Sequence, residues 1–213
     1  MVIKQIENTP ISSNCFVIFD KAVRNNCIIV DPGSEDNSDL FRFLEKELLN
    51  PEYIILTHEH FDHCWGVNSF RNKYPDVKLI SSKICSDSIQ DRKKNYSVFN
   101  QQPGFELKPA DIILDDIDWK LVWYDKLISF LPAQGHSASG IVIFVDQYVF
   151  TGDSLIKGIK TVTKLKTASK EKLMKTLSML EAKKGRGFVV CPGHGEMFSL
   201  DGYDLSLAIS CDG

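Results

Sequence analysis

The stretch Tyr53-Ile54-Ile55-Leu56-Thr57-His58-Glu59-His60-Phe61-Asp62-His63 decides how this chain is read. Its first four residues are an apolar run with β-branched and aromatic character, which predicts a buried strand. That strand delivers Thr57 into a cluster in which the histidines fall at i, i+2 and i+5, with Asp62 between the last two. Two metal-binding histidines on a helix must sit at i and i+4 to face one way, so this is not a helical site. In extended backbone, residues i and i+2 point to the same side. His58 and His60 can therefore grip one ion, while Asp62 and His63, where the chain turns, reach a second. Val67, Phe70 and Tyr74 have helical spacing just beyond, which puts the cluster between a strand's carboxyl end and a helix, a position that ligand sites favour.

The remaining two histidines also stand in loop-like motifs: His136 in Gly135-His136-Ser137 and His194 in Pro192-Gly193-His194-Gly195-Glu196. Asp153, in Thr151-Gly152-Asp153-Ser154, adds a carboxylate. Seven nitrogen and oxygen donors (His58, His60, Asp62, His63, His136, Asp153 and His194) are too many for one ion and suit two. Imidazole and carboxylate without thiolate fit Zn²⁺ first, with Fe or Mn²⁺ also accommodated.

A chain of 213 residues with 43% hydrophobic content can bury a large core, and one domain spanning 1–213 is expected. No stretch approaches the ~20 apolar residues of a membrane span. The start, Met1-Val2-Ile3-Lys4-Gln5-Ile6-Glu7, lacks the plan of a secretory signal, so a cytoplasmic protein is expected. Cysteines 15, 27, 64, 85, 191 and 211 contain no Cys-x-x-Cys pair and are read as buried thiols. A net charge of −3 argues against nucleic acid or an anionic membrane surface as partner.

Short apolar runs alternate with helical patterns. Asn14–Asp20 and Asn26–Val30 are expected to be neighbouring strands, the second ending at the turn Asp31-Pro32-Gly33. Asp36 or Ser38 caps an expected helix with the stripe Leu40, Phe41, Leu44 and Leu48, ended by Pro51. The polar segment 91–110 is an excursion able to wall the site or to serve as a surface loop. Strands are expected at Ile112–Leu114, Trp119–Tyr124, Leu127–Leu131, Ile141–Val145 and Tyr148–Phe150. Ser169 caps a helix with Leu173, Met174, Leu177 and Leu180 inside, stopped by Gly185, and Phe188–Val190 is a final strand.

The signature His58-x-His60-x-Asp62-His63, followed in order by His136, Gly152-Asp153 and Gly193-His194, resembles the metallo-β-lactamase superfamily over nearly the whole chain. The resemblance implies an α/β (α+β) fold: a four-layer αββα sandwich of two mixed β-sheets flanked by helices, with two divalent metal ions at one edge. His58, His60 and His136 would hold the first ion, Asp62, His63 and His194 the second, and Asp153 would bridge them. Asp31 looks like the residue that buttresses the metal loop from behind. Water held between two such ions loses a proton near neutral pH, and the hydroxide would attack an acyl carbon, with Asp62 orienting it or returning a proton.

Within that family the pattern is most similar to the short glyoxalase II-like hydrolases, which cleave thioesters, so a small-molecule acyl substrate is expected. Two departures make glutathione itself a poor expectation: 19 residues follow His194, and Leu155-Ile156-Lys157-Gly158-Ile159-Lys160 stands where a Gly-Arg motif is expected. Lysines 157, 160, 164, 166, 170, 172 and 175 read as solvated faces, or as a holder for an acidic substrate at Lys157 or Lys160. A lactonase of the same fold and an iron-dependent sulfur dioxygenase are the competing readings.

Overall fold

The computed structural model describes residues 1–22, 25–100, 103–114 and 118–209, and Cys211 lies outside them. The architecture is α+β and divides into two compact units, Met1–Ile113 and Leu114–Gly213, built on two mixed six-stranded sheets with flanking helices.

In the first unit, β1 (Val2–Glu7), β2 (Asn14–Phe19) and β3 (Asn26–Val30) form an antiparallel meander. Parallel strands β4 (Asn50–Ile55) and β5 (Lys78–Ser82) follow, and β6 (Ile112–Leu114) completes the sheet order. Parallel neighbours require crossovers: α1 (Ser38–Lys46) joins β3 to β4, and α2 (Phe61–Cys64) with α3 (Val67–Lys73) joins β4 to β5. Helices α4 (Lys83–Ser88) and α5 (Ser97–Asn100) come next. Val17, Ile29, Ile54 and Leu79 pack with Leu40, Leu44, Val67 and Phe70 of the helices. The alternate residues Ile18, Ile28, Ile55 and Ile80 are equally buried, which explains why these strands read as unbroken apolar runs rather than alternating ones.

The second unit repeats the plan. β7 (Trp119–Trp123), β8 (Lys126–Pro132), β9 (Ile141–Val145) and β10 (Tyr148–Gly152) pair antiparallel in turn. Helix α6 (Lys170–Glu181) then crosses to the parallel strand β11 (Val189–Pro192), which pairs antiparallel with β12 (Phe198–Ser199). A short 3₁₀ helix covers Leu205–Ala208. Leu173, Leu177 and Leu180 of α6 pack on Val142, Val149 and Val190, and the Ser169 hydroxyl accepts from the Lys172 amide at 3.3 Å, as a cap should.

Two helical stripes are narrower than expected. Leu48 is 72% exposed because α1 ends before it: Leu48 has φ 54° and Leu49 donates to the Leu44 carbonyl at 2.8 Å. That is a left-handed helix stop, and Pro51 already lies in β4. Met174 is half exposed, on the outer side of α6. Strands β1, β5 and β12 and helices α4 and α5 have no counterpart among the expected elements, being too short or too polar for a clear period.

Candidate metal centre

Except for His136, each unit presents its candidate side chains where a βαβ crossover leaves the carboxyl ends of two parallel strands, the place where such sheets collect ligands. In the first unit these ends carry Asp31, after β3, and Thr57-His58, after β4. The chain stays extended through His60 (φ −61°, ψ 144°) and then coils into α2, the His60 carbonyl accepting from the His63 amide at 3.0 Å. The change from a two-residue to a helical period folds the histidines onto one another. The His58 ring centroid lies 4.5 Å from that of His60 and 4.3 Å from that of His63, and Asp62 Oδ2 stands 3.6 Å from His63 Nε2.

Asp31 organises this cluster. Its Oδ1 accepts from the Thr57 amide at 2.8 Å and its Oδ2 from the Thr57 hydroxyl at 2.6 Å, while His63 Nδ1 lies 3.1 Å from Oδ2. A carboxylate accepts only, so His63 carries its proton on Nδ1. The Thr57 hydroxyl has one proton, directed at Asp31, and must accept from His58 Nδ1 at 3.0 Å. Both imidazoles are thereby assigned the tautomer whose Nε2 lone pair can take a cation. Asp31, His58 and His63 lie close enough to form a metal-sized group themselves, but both Asp31 oxygens are committed to Thr57, so Asp31 is placed to orient the two imidazoles.

Behind the loop the packing is tight. A Cβ on Gly33 would sit 1.6 Å from the Asp62 carbonyl oxygen, so only glycine permits this approach. That same oxygen accepts from the Ser13 hydroxyl. Buried Asn8 donates to Ser13 Oγ at 2.9 Å and to the Asp31 carbonyl at 3.1 Å. Asn8 and Ser13 carry no motif, and only the folded chain reveals them.

In the second unit, β10 ends at Gly152 and hands over Asp153, and β11 ends at Pro192 and hands over Gly193-His194. The Gly193 amide donates to the Gly152 carbonyl at 2.8 Å, holding the two loops side by side. His136 follows β8; its loop is fixed where Gly135, at φ 145°, rests on Leu173 of α6. Asp153 Oδ2 stands 3.5 Å from Nε2 of His136 and 3.5 Å from Nε2 of His194. His136 Nδ1 lies 3.1 Å from the Val162 carbonyl, an acceptor, so His136 too presents Nε2.

These groups suit divalent cations. Donor atoms around a tetrahedral ion with bonds of 2.0–2.1 Å stand about 3.3–3.4 Å apart, close to the 3.5–3.6 Å separations within both clusters. Among the described residues, no cysteine stands in a group of side chains that could hold an ion. Burial, and then neighbouring Cys85 and Asp62, push the Cys64 thiol well up, and burial does the same at Cys191. The lysines of the segment 157–175 are exposed apart from half-buried Lys170. Lys157 lies 3.7 Å from Glu196 and Lys175 pairs with Glu171 at 2.7 Å, while Thr161 Oγ1 donates to the Asp153 carbonyl at 3.4 Å. From the excursion, Tyr96 sets its ring edge-on to His60, with centroids 4.9 Å apart.

The fold and sequence are shared with known proteins. The family model of the Metallo-beta-lactamase superfamily matches residues 8–194. A hydroxyacylglutathione hydrolase of Glaesserella parasuis is 32% identical over 157 residues, which are 72% of this chain and 56% of that protein. A probable metallo-hydrolase, YqgX of Bacillus subtilis, is 26% identical over 188 residues, covering 87% and 86%. Among solved structures, the BLEG-1 B3 metallo-beta-lactamase aligns with a TM-score of 0.84 at 25% identity, covering 93% of this chain and 94% of that one. The chain spans less than two thirds of the length of the hydroxyacylglutathione hydrolases it matches first.

Proposed function

Since the chain belongs to the metallo-β-lactamase superfamily, we propose that it is a binuclear metal-dependent hydrolase that cleaves a thioester or related acyl ester of a small molecule. In this reading both units form one catalytic domain. His58, His60 and His136 hold one ion, Asp62, His63 and His194 the other, and Asp153 is shared. The observation that carries the proposal is the single Asp153 oxygen facing two imidazole Nε2 atoms at equal distance, the relation a bridging carboxylate needs. The acyl substrate class is supported by the relatives named hydroxyacylglutathione hydrolase, and zinc by the donor set, which also accepts iron or manganese.

Two bound divalent ions would supply Lewis acidity, lowering the pKa of a water to about 7 and polarising the acyl oxygen. The chain's own residues do the rest. Asp31 and Thr57 hold His58 and His63 in one tautomer, so that neither ring has to reorient when substrate arrives. The Asp62 carboxylate accepts the proton of the attacking water and returns it to the leaving sulfur or oxygen.

The test is hydrolysis of small acyl thioesters by the purified, zinc-loaded protein. Rates should rise with pH through an apparent pKa of about 7 and vanish on chelation. Turnover of lactones with none of thioesters would move the assignment to a lactonase. Oxygen uptake on a persulfide without any hydrolysis would replace it by a sulfur dioxygenase.

A further inference from the structure

The excursion between α4 and β6 is fastened to the metal loop by built contacts. Asn95, fully buried, donates to the carbonyls of Phe105 at 2.9 Å and Ile89 at 3.4 Å, and its Oδ1 accepts from the Ser97 amide at 2.9 Å. Ser97 Oγ accepts from the Phe105 amide at 2.9 Å. Phe105 in turn stacks on Trp65, directly after α2, with centroids 5.6 Å apart. Between Asn95 and Ser97 stands Tyr96, held at φ 64°, a conformation rare for a bulky residue and one that surrounding structure must enforce. The enforced turn aims the Tyr96 ring at His60. One turn on, Phe99 donates its amide to the Tyr96 carbonyl at 3.1 Å and sets its ring 6.2 Å from that of Tyr96.

Phe99 is 74% exposed. Single exposed apolar residues are ordinary, but Phe99 differs from exposed Leu48 or Val122 in continuing a chain of rings that begins on a proposed metal ligand. We infer that Tyr96 and Phe99 form an acyl-binding wall beside His60 that selects substrates with apolar, preferably aromatic, acyl groups; this rests on the hydrolase reading. A ring laid on Phe99 removes apolar surface of both partners from water and gains edge or offset-stacking energy as well. An acetyl group has no ring to lay there and gains neither.

The experiment compares the S-phenylacetyl and S-acetyl thioesters of one simple thiol, and separately the binding of phenylacetate and acetate by calorimetry. In the unmodified protein kcat/KM should favour phenylacetyl by about tenfold. Phe99→Ala should erase most of that ratio and Phe99→Leu part of it, and phenylacetate should lose its advantage over acetate in the same order. Thioester turnover with an acyl ratio that Phe99→Ala does not change, and equal binding of the two acids, would overturn the wall and leave the hydrolase reading intact. Absence of hydrolysis together with Phe99-dependent phenylacetate binding would overturn the hydrolase reading and keep the wall. Failure of both measurements would end both.

Discussion

Asp31 and His63 meet at 3.1 Å, carboxylate oxygen to Nδ1, in a buried contact that joins the end of β3 to the first turn of α2. The same carboxylate takes both the amide and the hydroxyl of Thr57. One acidic side chain thus determines which nitrogen two imidazoles offer.

Asp31→Asn preserves volume but replaces one accepting oxygen with an NH₂ group, which cannot receive the Thr57 hydroxyl or His63 Nδ1–H. Zinc affinity should fall by about 10- to 100-fold, the usual effect of losing a residue that orients a ligand. Competition with a chromogenic chelator measures it, and unchanged affinity would remove Asp31 from this role.

On the proposed assignment, removal of single ligands should separate two ions. Asp153→Ala should lose both, because its Oδ2 faces His136 and His194 alike, whereas His194→Ala should lose mainly one. Elemental analysis should approach two equivalents for the unmodified protein. Loss of the same single ion from both variants would disprove the shared carboxylate.

Gly33→Ala forces a methyl group to within 1.6 Å of the Asp62 carbonyl oxygen. The Ser13 hydroxyl holds that oxygen from one side, and the Gly66 amide holds the Pro32 carbonyl at 2.7 Å, so neither backbone can retreat freely. A cost of about 3 kcal/mol is expected from overpacking, read as a lower denaturant midpoint, together with weaker metal binding.

Leu48→Gly should stabilise the fold. Leu48 is exposed, sits at φ 54° and occupies the helix-stop position of α1, where glycine relieves strain of about 1 kcal/mol. Thermal unfolding should shift upward by a few degrees, and a downward shift would show that the side chain contributes contacts of its own.

Acid lability should involve Asp111. Burial alone would raise its carboxyl, but the Leu79 amide and the Arg71 guanidinium outweigh that and hold it below the usual carboxylate range. A carboxyl lowered on folding contributes stability above its unfolded pKa of about 3.9 and loses it as pH falls through the folded value. Asp111→Asn should therefore flatten the stability profile below about pH 4, measured by urea unfolding across that range.

How much was legible in advance differs from residue to residue. Strands β4, β9 and β10 could be read because they are apolar and largely buried on both faces, so their sequences run as continuous apolar stretches. β1 and β5 could not: burial in β1 is partial and irregular, and β5 is followed at once by a polar helix. Leu48 and Met174 fitted their stripes by spacing, but spacing does not say where a helix stops or how wide its buried face is.

By itself the sequence put forward the candidate donor set, because imidazole and carboxylate at non-helical spacings constrain the backbone that can use them and the cations they suit. It also determined that Asp31 ends a strand. Only the tertiary structure decided which atoms those side chains present. The Nε2 lone pairs of His58, His63 and His136 are chosen by Asp31, Thr57 and the Val162 carbonyl, partners 26, 1 or 32 positions away in the chain. The Asp153 oxygen faces His194 because the β10–α6–β11 crossover brings the ends of two parallel strands together, and it faces His136 because β8, two strands away in the same sheet, ends on the same side. A hydrogen bond depends on position in space, and local spacing carries no record of which distant segment will supply it.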